Sequence, residues 1–100
     1  MTFIQIIEFQ TKKPEDVEAL AEEWVRATTG RRTARRATLS VDRDHPETYI
    51  QLVEFPSYEA AMANSALPET SHFAEQMTKL CESAPEFRNF DVRSLYELED

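Results

Sequence analysis

His72 is the side chain in this sequence whose chemistry is best suited to work near neutral pH. An imidazole can accept and release protons in that range, and it can ligate haem iron. On a predicted helix His72 lies about 100° around the axis from Phe73, at the edge of an apolar stripe. A half-exposed helix histidine without a role is the simpler interpretation, and the sequence leaves both open.

A second set of candidates combines amides with aromatic rings. Gln5 and Gln51 are polar residues on otherwise apolar predicted strands, and Tyr49 shares a strand face with Gln51. Small-molecule pockets are mostly apolar, with a few polar groups that fix the orientation of the ligand. Trp24 and Phe55 could supply flat walls for such a pocket. Alternatively, these rings are ordinary core residues and the amides bond to other protein groups.

The histidine, cysteine and glycine content of the chain excludes several kinds of site. His45 and His72 lack cysteines or carboxylates at zinc-site spacing, so we predict no metal site. Cys81 is the only cysteine, which permits no internal disulfide, and its apolar neighbours favour an inert buried thiol. Gly30 is the only glycine, which excludes a glycine-rich phosphate loop. We therefore predict no bound cofactor.

The net charge and the hydropathy of the chain limit the kinds of partner that it can bind. The net charge of −8 argues against nucleic acid. Apolar runs are too short to cross a membrane, and the N-terminus has no secretion-signal pattern, so we predict a cytoplasmic protein without a membrane partner. Basic side chains are concentrated in the first half of the chain, where they could hold an anion or form a solvated, salt-bridged surface: Arg26, Arg31, Arg32, Arg35, Arg36 and Arg43.

These candidates must be positioned by one domain, residues 1–100. Alternating apolar residues predict strands and a 3.6-residue periodicity predicts helices. Pro14, Ser57 and Pro68 are typical helix starts, and Gly30 and Pro85 are typical stops. The predicted strands are residues 2–10, 33–43, 46–55 and 86–98, and the predicted helices are residues 14–28, 58–65 and 68–84.

The element order predicts an α+β, ferredoxin-like βαββαβ fold. Right-handed crossovers then give a four-stranded antiparallel sheet with the helices on one face. The strands are apolar on both faces, so the other face needs a cover. We predict a homodimeric α/β barrel in which a second copy packs sheet to sheet.

The chain resembles the dimeric α/β-barrel proteins, and within them the antibiotic biosynthesis monooxygenase-like family. The resemblance lies in the opening strand FIQIIEF, in YIQLVEF leading into SYEA, and in the broken helix that ends in SHF. It implies a pocket between the helices and the sheet. Haem-degrading members carry an asparagine where this chain has Gln5, a tryptophan near Phe55, and an axial histidine near His72.

The resemblance implies a small cofactor-independent monooxygenase acting on an apolar or aromatic molecule. His72 and Tyr49 are then the catalytic candidates, and the ligand-binding candidates are Gln5, Gln51, Phe55 and Trp24. The alternative is a non-catalytic ligand-binding or scaffold dimer. Haem degradation is a third hypothesis, for which this chain lacks the asparagine and the tryptophan.

Overall fold

The computed structural model describes residues 1–99, and it contains four strands and three helices. Along the chain they are β1 (Phe3–Gln10), α1 (Pro14–Ala27), β2 (Arg36–Asp42), β3 (His45–Phe55), α2 (Tyr58–Ser65), α3 (Pro68–Leu80) and β4 (Glu86–Asp91). The strands form one antiparallel sheet in the order β2-β3-β1-β4. The predicted βαββαβ fold is confirmed, with the second helical unit broken into α2 and α3.

Local signals place the helix ends. Pro14 and Pro68 begin α1 and α3, where a missing backbone N–H leaves no bond unmade. The Ser57 hydroxyl accepts a hydrogen bond from the backbone N–H of Ala60 at 3.0 Å and so caps α2. Gly30 follows α1 with φ of +81°, a left-handed conformation that glycine adopts without strain.

Strand register decides which side chains face the helices. Phe3 pairs with Phe55, and Phe9 pairs with Tyr49, so the odd-numbered residues of β1 and β3 share one side of the sheet. The helices cover this side in two buried clusters. One cluster contains Phe3, Val53, Phe55 and Ala61, and the other contains Ile7, Phe9, Val17 and Met77.

In the described part of the chain, no helix lies on the opposite side of the sheet. We call it the outer face, and its centre is apolar although every one of these side chains keeps some exposure: Ile4, Ile6, Ile50, Leu52 and Phe90. Charged pairs lie at its margins, as in the 3.4 Å contact between the Arg88 guanidinium and the Glu8 carboxylate. This arrangement has the apolar centre and polar rim of a protein interface.

Three predicted boundaries were wrong by more than one residue. The second strand begins at Arg36 rather than at residue 33, because the Thr33 hydroxyl donates to the Ala60 carbonyl at 2.6 Å and holds the preceding chain against α2. Helix α3 ends at Leu80 rather than at residue 84, because Cys81 turns extended and bridges to Thr11. The last strand ends at Asp91 rather than at residue 98, because its neighbour β1 begins at Phe3, which pairs with Asp91.

Within residues 1–99, no helix is long and apolar enough to cross a membrane. The same residues contain no group of three or more His, Cys, Asp or Glu side chains arranged to hold a metal ion.

Candidate functional site

A cleft of about 350 Å³ opens between the helix side of the sheet and helices α1, α2 and α3. It lies between the two buried clusters, since its wall includes Val53 and Phe55 from one and Ile7 and Met77 from the other. Aromatic surface comes from the sheet and from two helices: Phe55 and Phe87 lie on β3 and β4, Trp24 on α1 and Phe73 on α3. The volume is on the scale of small-molecule pockets.

Within residues 1–99, every side chain that lines the cleft is uncharged. The polar ones are amides and hydroxyls: Gln5, Gln51, Asn64, Ser65, Thr70, Ser71 and Thr78. Charged residues make up 30% of the chain, so their exclusion from this wall is a property of the site. An uncharged wall favours a neutral ligand, because an ionised group would lose its hydration without gaining a charged partner.

Gln51 has an unmet hydrogen-bonding requirement. It lies in the middle of β3 on the helix side, and its Oε1 is buried without a hydrogen-bond partner within the described chain. Buried polar atoms almost always find a partner, and an exception calls for an explanation at that site. Because the amide can rotate, Gln51 can offer either a donor or an acceptor to a ligand.

Asn64 is a site residue that the sequence did not reveal. It is only 5% exposed, and its Oδ1 accepts a hydrogen bond from the backbone N–H of Thr33 at 3.3 Å. The carbonyl end is therefore committed to the protein, and the NH₂ end is what Asn64 can offer to the cleft that it lines. Its only sequence signal is that a polar residue stands three positions after the buried Ala61 on the same helix.

Four of the six predicted site residues meet in the cleft. They are Gln5, Gln51, Phe55 and Trp24. Gln5 does not bond to Gln51; its amide nitrogen donates to the Asn89 Oδ1 on the neighbouring strand at 3.3 Å. The polar groups of the site thus leave the cleft open instead of satisfying one another across it.

Tyr49 and His72 do not line this cleft. The Tyr49 ring stacks on Phe9, with ring centroids 5.8 Å apart, at the far side of the second buried cluster. His72 is exposed and lies in a separate groove of about 230 Å³ between α1 and α3. This outer groove is also lined by Glu23 and Glu69, so the titratable side chains collect there and not in the cleft.

Trp24 and Phe73 separate the two spaces, since each lines both the cleft and the outer groove. Two polar contacts hold α1 and the turn that follows it to α3 beside this partition. The Trp24 Nε1–H donates to the Thr70 hydroxyl oxygen at 2.9 Å, and the Arg31 guanidinium pairs with the Glu69 carboxylate. The hydrogen bond from Arg31 lowers the pKa of Glu69, so this carboxylate stays ionised into mildly acidic conditions.

The predicted arginine cluster is divided between structural contacts and solvent. Arg31 donates to the Ala27 carbonyl at 2.9 Å, and Arg32 donates to the Val25 carbonyl at 2.7 Å. Both therefore satisfy carbonyls at the C-terminal end of α1, where cations are also favoured by the helix dipole.

His72 is not placed to ligate the iron of a haem bound in the cleft. Axial ligation requires an imidazole nitrogen that points into the space that the porphyrin fills. His72 lies on the groove side of the Trp24–Phe73 partition, and none of the residues that line the cleft is a histidine.

The sequence predicted a buried, unreactive thiol at Cys81. It is half-buried directly after α3, and burial raises the pKa of its thiol. A raised pKa reduces the thiolate fraction, which is the reactive form.

Comparison with known proteins shows which fold this is. Neither protein-family models nor curated proteins match the sequence. Among solved structures, SnoaB from Streptomyces nogalater, a cofactor-independent oxygenase, superposes with a TM-score of 0.78 at 18% identity over 94% of this chain and 95% of that chain. Rv0793 from Mycobacterium tuberculosis gives 0.79 at 13% identity over 97% and 100% of the chains. An antibiotic biosynthesis monooxygenase gives 0.73 at 17% identity over 94% and 100%.

At these identities the likeness is one of architecture, and it extends over nearly the whole chain. The predicted resemblance is confirmed: the chain has the fold of the antibiotic biosynthesis monooxygenase-like proteins.

Proposed function

We propose that the protein binds a neutral, planar, apolar molecule in the cleft and catalyses its oxidation by molecular oxygen without a cofactor. The observation that carries this proposal is the wall of the cleft, which combines aromatic rings with amides and hydroxyls and contains no charged side chain. The likeness to SnoaB, itself a cofactor-independent oxygenase, supports the same reaction class.

The chemistry needs little from the protein beyond binding and orientation. An electron-rich substrate such as an anthrone loses a proton, and the resulting anion supplies electrons to oxygen. One oxygen atom ends as the new carbonyl of the product and the other leaves as water, so no external reductant is consumed. Holding the substrate in one orientation in a water-poor cleft lowers the entropic part of the barrier.

Each residue has a distinct part in this proposal. The Gln51 Oε1 accepts a hydrogen bond from a substrate hydroxyl, or, after rotation of the amide, the Gln51 NH₂ group donates to a substrate carbonyl oxygen; either contact meets the unmet requirement of the buried end of this amide. The NH₂ group of Asn64 donates to a substrate oxygen. Trp24 and Phe55 stack against its rings. Because the cleft offers no titratable side chain, the substrate proton passes to solvent at the cleft mouth, and neither His72 nor Tyr49 takes it directly.

A second candidate function is carrier-type binding without turnover. The absence of a titratable group from the lining residues favours it, since many enzymes that transfer protons place a general base within hydrogen-bond reach. A purely scaffolding role is disfavoured, because Gln5 and Gln51 leave a cleft open between them instead of closing it.

Oxygen consumption with a panel of anthrones and hydroquinones tests the proposal. The decisive variant is Ala74→Phe, which adds a ring to the cleft wall, and the control is Ala63→Phe on the exposed side of α2. We expect Ala74→Phe to lower kcat/KM by about tenfold or more, equivalent to about 1.4 kcal/mol, and Ala63→Phe to leave it unchanged. Ligand binding that Ala74→Phe weakens, without oxygen uptake, would favour the carrier; equal uptake in both variants would remove the cleft from the mechanism.

We also propose that the active form is a homodimer. The outer face supports it: an apolar centre is left uncovered by any helix, and a twofold pair buries two such faces at once.

A further inference from the structure

The wall between the cleft and the outer groove is made of side chains. Trp24 and Phe73 each line both spaces, so each ring contacts the cleft and the groove at once. The groove measures about 230 Å³, which is about two thirds of the 350 Å³ of the cleft. If one of these rings moved aside, the cleft would gain that volume. The positions of the two rings therefore decide how long a molecule the cleft can hold.

Helical spacing explains why open space lies behind the indole. Four residues of α1 line the groove at positions i, i+3, i+4 and i+7, which places them on one face of the helix: Leu20, Glu23, Trp24 and Ala27. Ala27 stands one turn after Trp24 on this face and offers only a methyl group to the groove. The groove beside the indole is therefore left unfilled, and the ring has room to move into it.

The two rings of the wall are held in different ways. Phe73 packs against the second buried cluster, which fixes it in place. Trp24 packs against neither buried cluster of the described chain, and its specific tether is the 2.9 Å hydrogen bond from its Nε1–H to the Thr70 hydroxyl. Because a partly buried N–H without an acceptor is unfavourable, this bond favours one orientation of the indole. Trp24 is thus the part of the wall that a single polar contact controls.

The wall also separates the cleft from charged side chains. Glu23, Glu69 and His72 all line the outer groove, and none of them lines the cleft. A carboxylate that opened onto the cleft would lose hydration when an apolar ligand bound, which costs free energy. An indole that stays in place therefore preserves both the length of the cleft and its uncharged lining.

We propose that Trp24 sets the size limit of the substrate and that Thr70 is its positioning residue. The cleft of about 350 Å³ is near the lower end of the range of small-molecule pockets, which is about 300–1,000 Å³. With the indole held by Thr70, the cleft accepts a planar molecule of the size of anthrone and disfavours the four-ring homologue tetracenone. The inference rests on the proposed function, because it assumes that the substrate binds in this cleft.

Calorimetric titration in the absence of oxygen tests the size limit, since binding is then measured without turnover. The measured quantity is the dissociation constant of tetracenone divided by that of anthrone. We expect Thr70→Val to lower this ratio about two- to tenfold, the factor that corresponds to one neutral hydrogen bond, and Trp24→Ala to lower it about tenfold or more. The matched control is Thr78→Val, which makes the same change in the same cleft wall but removes only a bond to the Ala74 carbonyl; its ratio should equal that of wild type.

A second substitution tests where the indole goes. Ala27 lines the outer groove and not the cleft. In Ala27→Phe a ring fills the space that a released indole would enter, so we expect this change to restore the wild-type ratio in the Thr70→Val protein. Ala63→Phe, on the exposed side of α2, is the control and should not restore it. Thr70→Val nearly preserves the side-chain volume, so it decides the question even if Trp24→Ala does not fold.

An unchanged ratio in Thr70→Val would overturn the proposal, and so would a wild-type protein that binds the two ligands equally well. A general loss of stability would weaken both ligands alike and would leave the ratio as it is. The expected ratios without oxygen uptake in air would remove the proposed oxidation and keep the size limit. Oxygen uptake with unchanged ratios would do the reverse, and a wild-type protein that binds neither ligand would overturn both.

Discussion

The indole of Trp24 and the hydroxyl of Thr70 are joined by a 2.9 Å hydrogen bond that ties α1 to α3 at the wall between the cleft and the outer groove. Trp24 is the only tryptophan in the chain. Its emission therefore reports on this one wall, and an aromatic ligand in the cleft is expected to quench it. The contribution of this hydrogen bond to the free energy of unfolding can also be measured.

Replacing Thr70 by valine removes the acceptor and leaves a partly buried indole N–H without a partner. We expect the free energy of unfolding to fall by about 1–2 kcal/mol, measured by urea denaturation followed through Trp24 emission and circular dichroism. The control is Thr78→Val, whose hydroxyl donates only to the Ala74 carbonyl of its own helix. Equal losses in the two variants would show that the contact between α1 and α3 is not what Thr70 contributes.

Gln51→Leu is expected to increase stability and to weaken binding. It removes a buried oxygen that has no partner and keeps the approximate volume, so we expect a gain of roughly 1 kcal/mol in the free energy of unfolding. Affinity for anthrone should fall while affinity for anthracene, which lacks the oxygen, should not; Trp24 quenching measures both. Gln10→Leu, at an exposed position on β1, is the control. Destabilisation by Gln51→Leu would show that its amide is already satisfied.

Periodicity and turn chemistry were enough to predict the fold. The apolar alternation of the strands, the helix cap at Ser57 and the helix stop at Gly30 are local features. Each depends on a few neighbouring residues and can therefore be recognised in the sequence. The end of β4 was not predictable in this way. The alternation in residues 86–98 is typical of a strand throughout, but the length of a strand also depends on its neighbour, and β1 starts too late to pair beyond Asp91.

Only part of the candidate site was predicted, because the sequence shows the face of a strand residue more clearly than the face of a helix residue. Residue parity predicts which residues of a strand share a face, and the structure places Gln5 and Gln51 on the helix side of the sheet, where both line the cleft. His72 stands at the edge of its helix stripe, and a rotation of the helix by a fraction of a turn decides between the cleft and the outer groove. Asn64 lies in a helix of small residues that shows little amphipathic contrast, so its burial gave no pattern to detect.

The pH dependence of turnover is expected to follow the ionisation of the substrate. Residues that line the cleft include no carboxylate, histidine or lysine, so the enzyme–substrate complex has no side chain there to titrate between about pH 4 and 10. The rate should rise with pH toward the pKa of each substrate and shift when that pKa is changed. His72→Ala should leave the profile in place. An inflection that stays at the same pH for every substrate and disappears in His72→Ala would restore the histidine as the proton acceptor.

Introducing a carboxylate at the centre of the outer face should separate the protomers. Ile6 lies there between Leu52 and Arg88 on the neighbouring strands. In Ile6→Glu a charge would have to be desolvated in the interface, which costs several kcal/mol, so we expect a monomer of 11.6 kDa by light scattering. Met62→Glu, at an exposed position on α2, should remain dimeric. A wild-type protein that is monomeric at micromolar concentration would itself contradict the proposed dimer.

The ion pair of Arg31 and Glu69 is expected to stabilise the protein at neutral pH and to be lost in acid. The Arg31 hydrogen bond lowers the pKa of Glu69 in the folded protein, so folding favours the ionised carboxylate. The contribution is therefore complete above the ordinary glutamate pKa of about 4.3 and disappears as the pH falls through the lowered folded-state value. Both side chains are partly exposed, so the effect is modest. The difference between the urea midpoints of wild type and Glu69→Gln at pH 7 should shrink as the pH is lowered through the acid range, whereas Glu75→Gln, on the exposed side of α3, should match wild type at pH 7. A Glu69→Gln deficit that shows no decrease down to the lowest pH at which the protein stays folded would mean that the side chain stabilises α3 by packing and not by its charge.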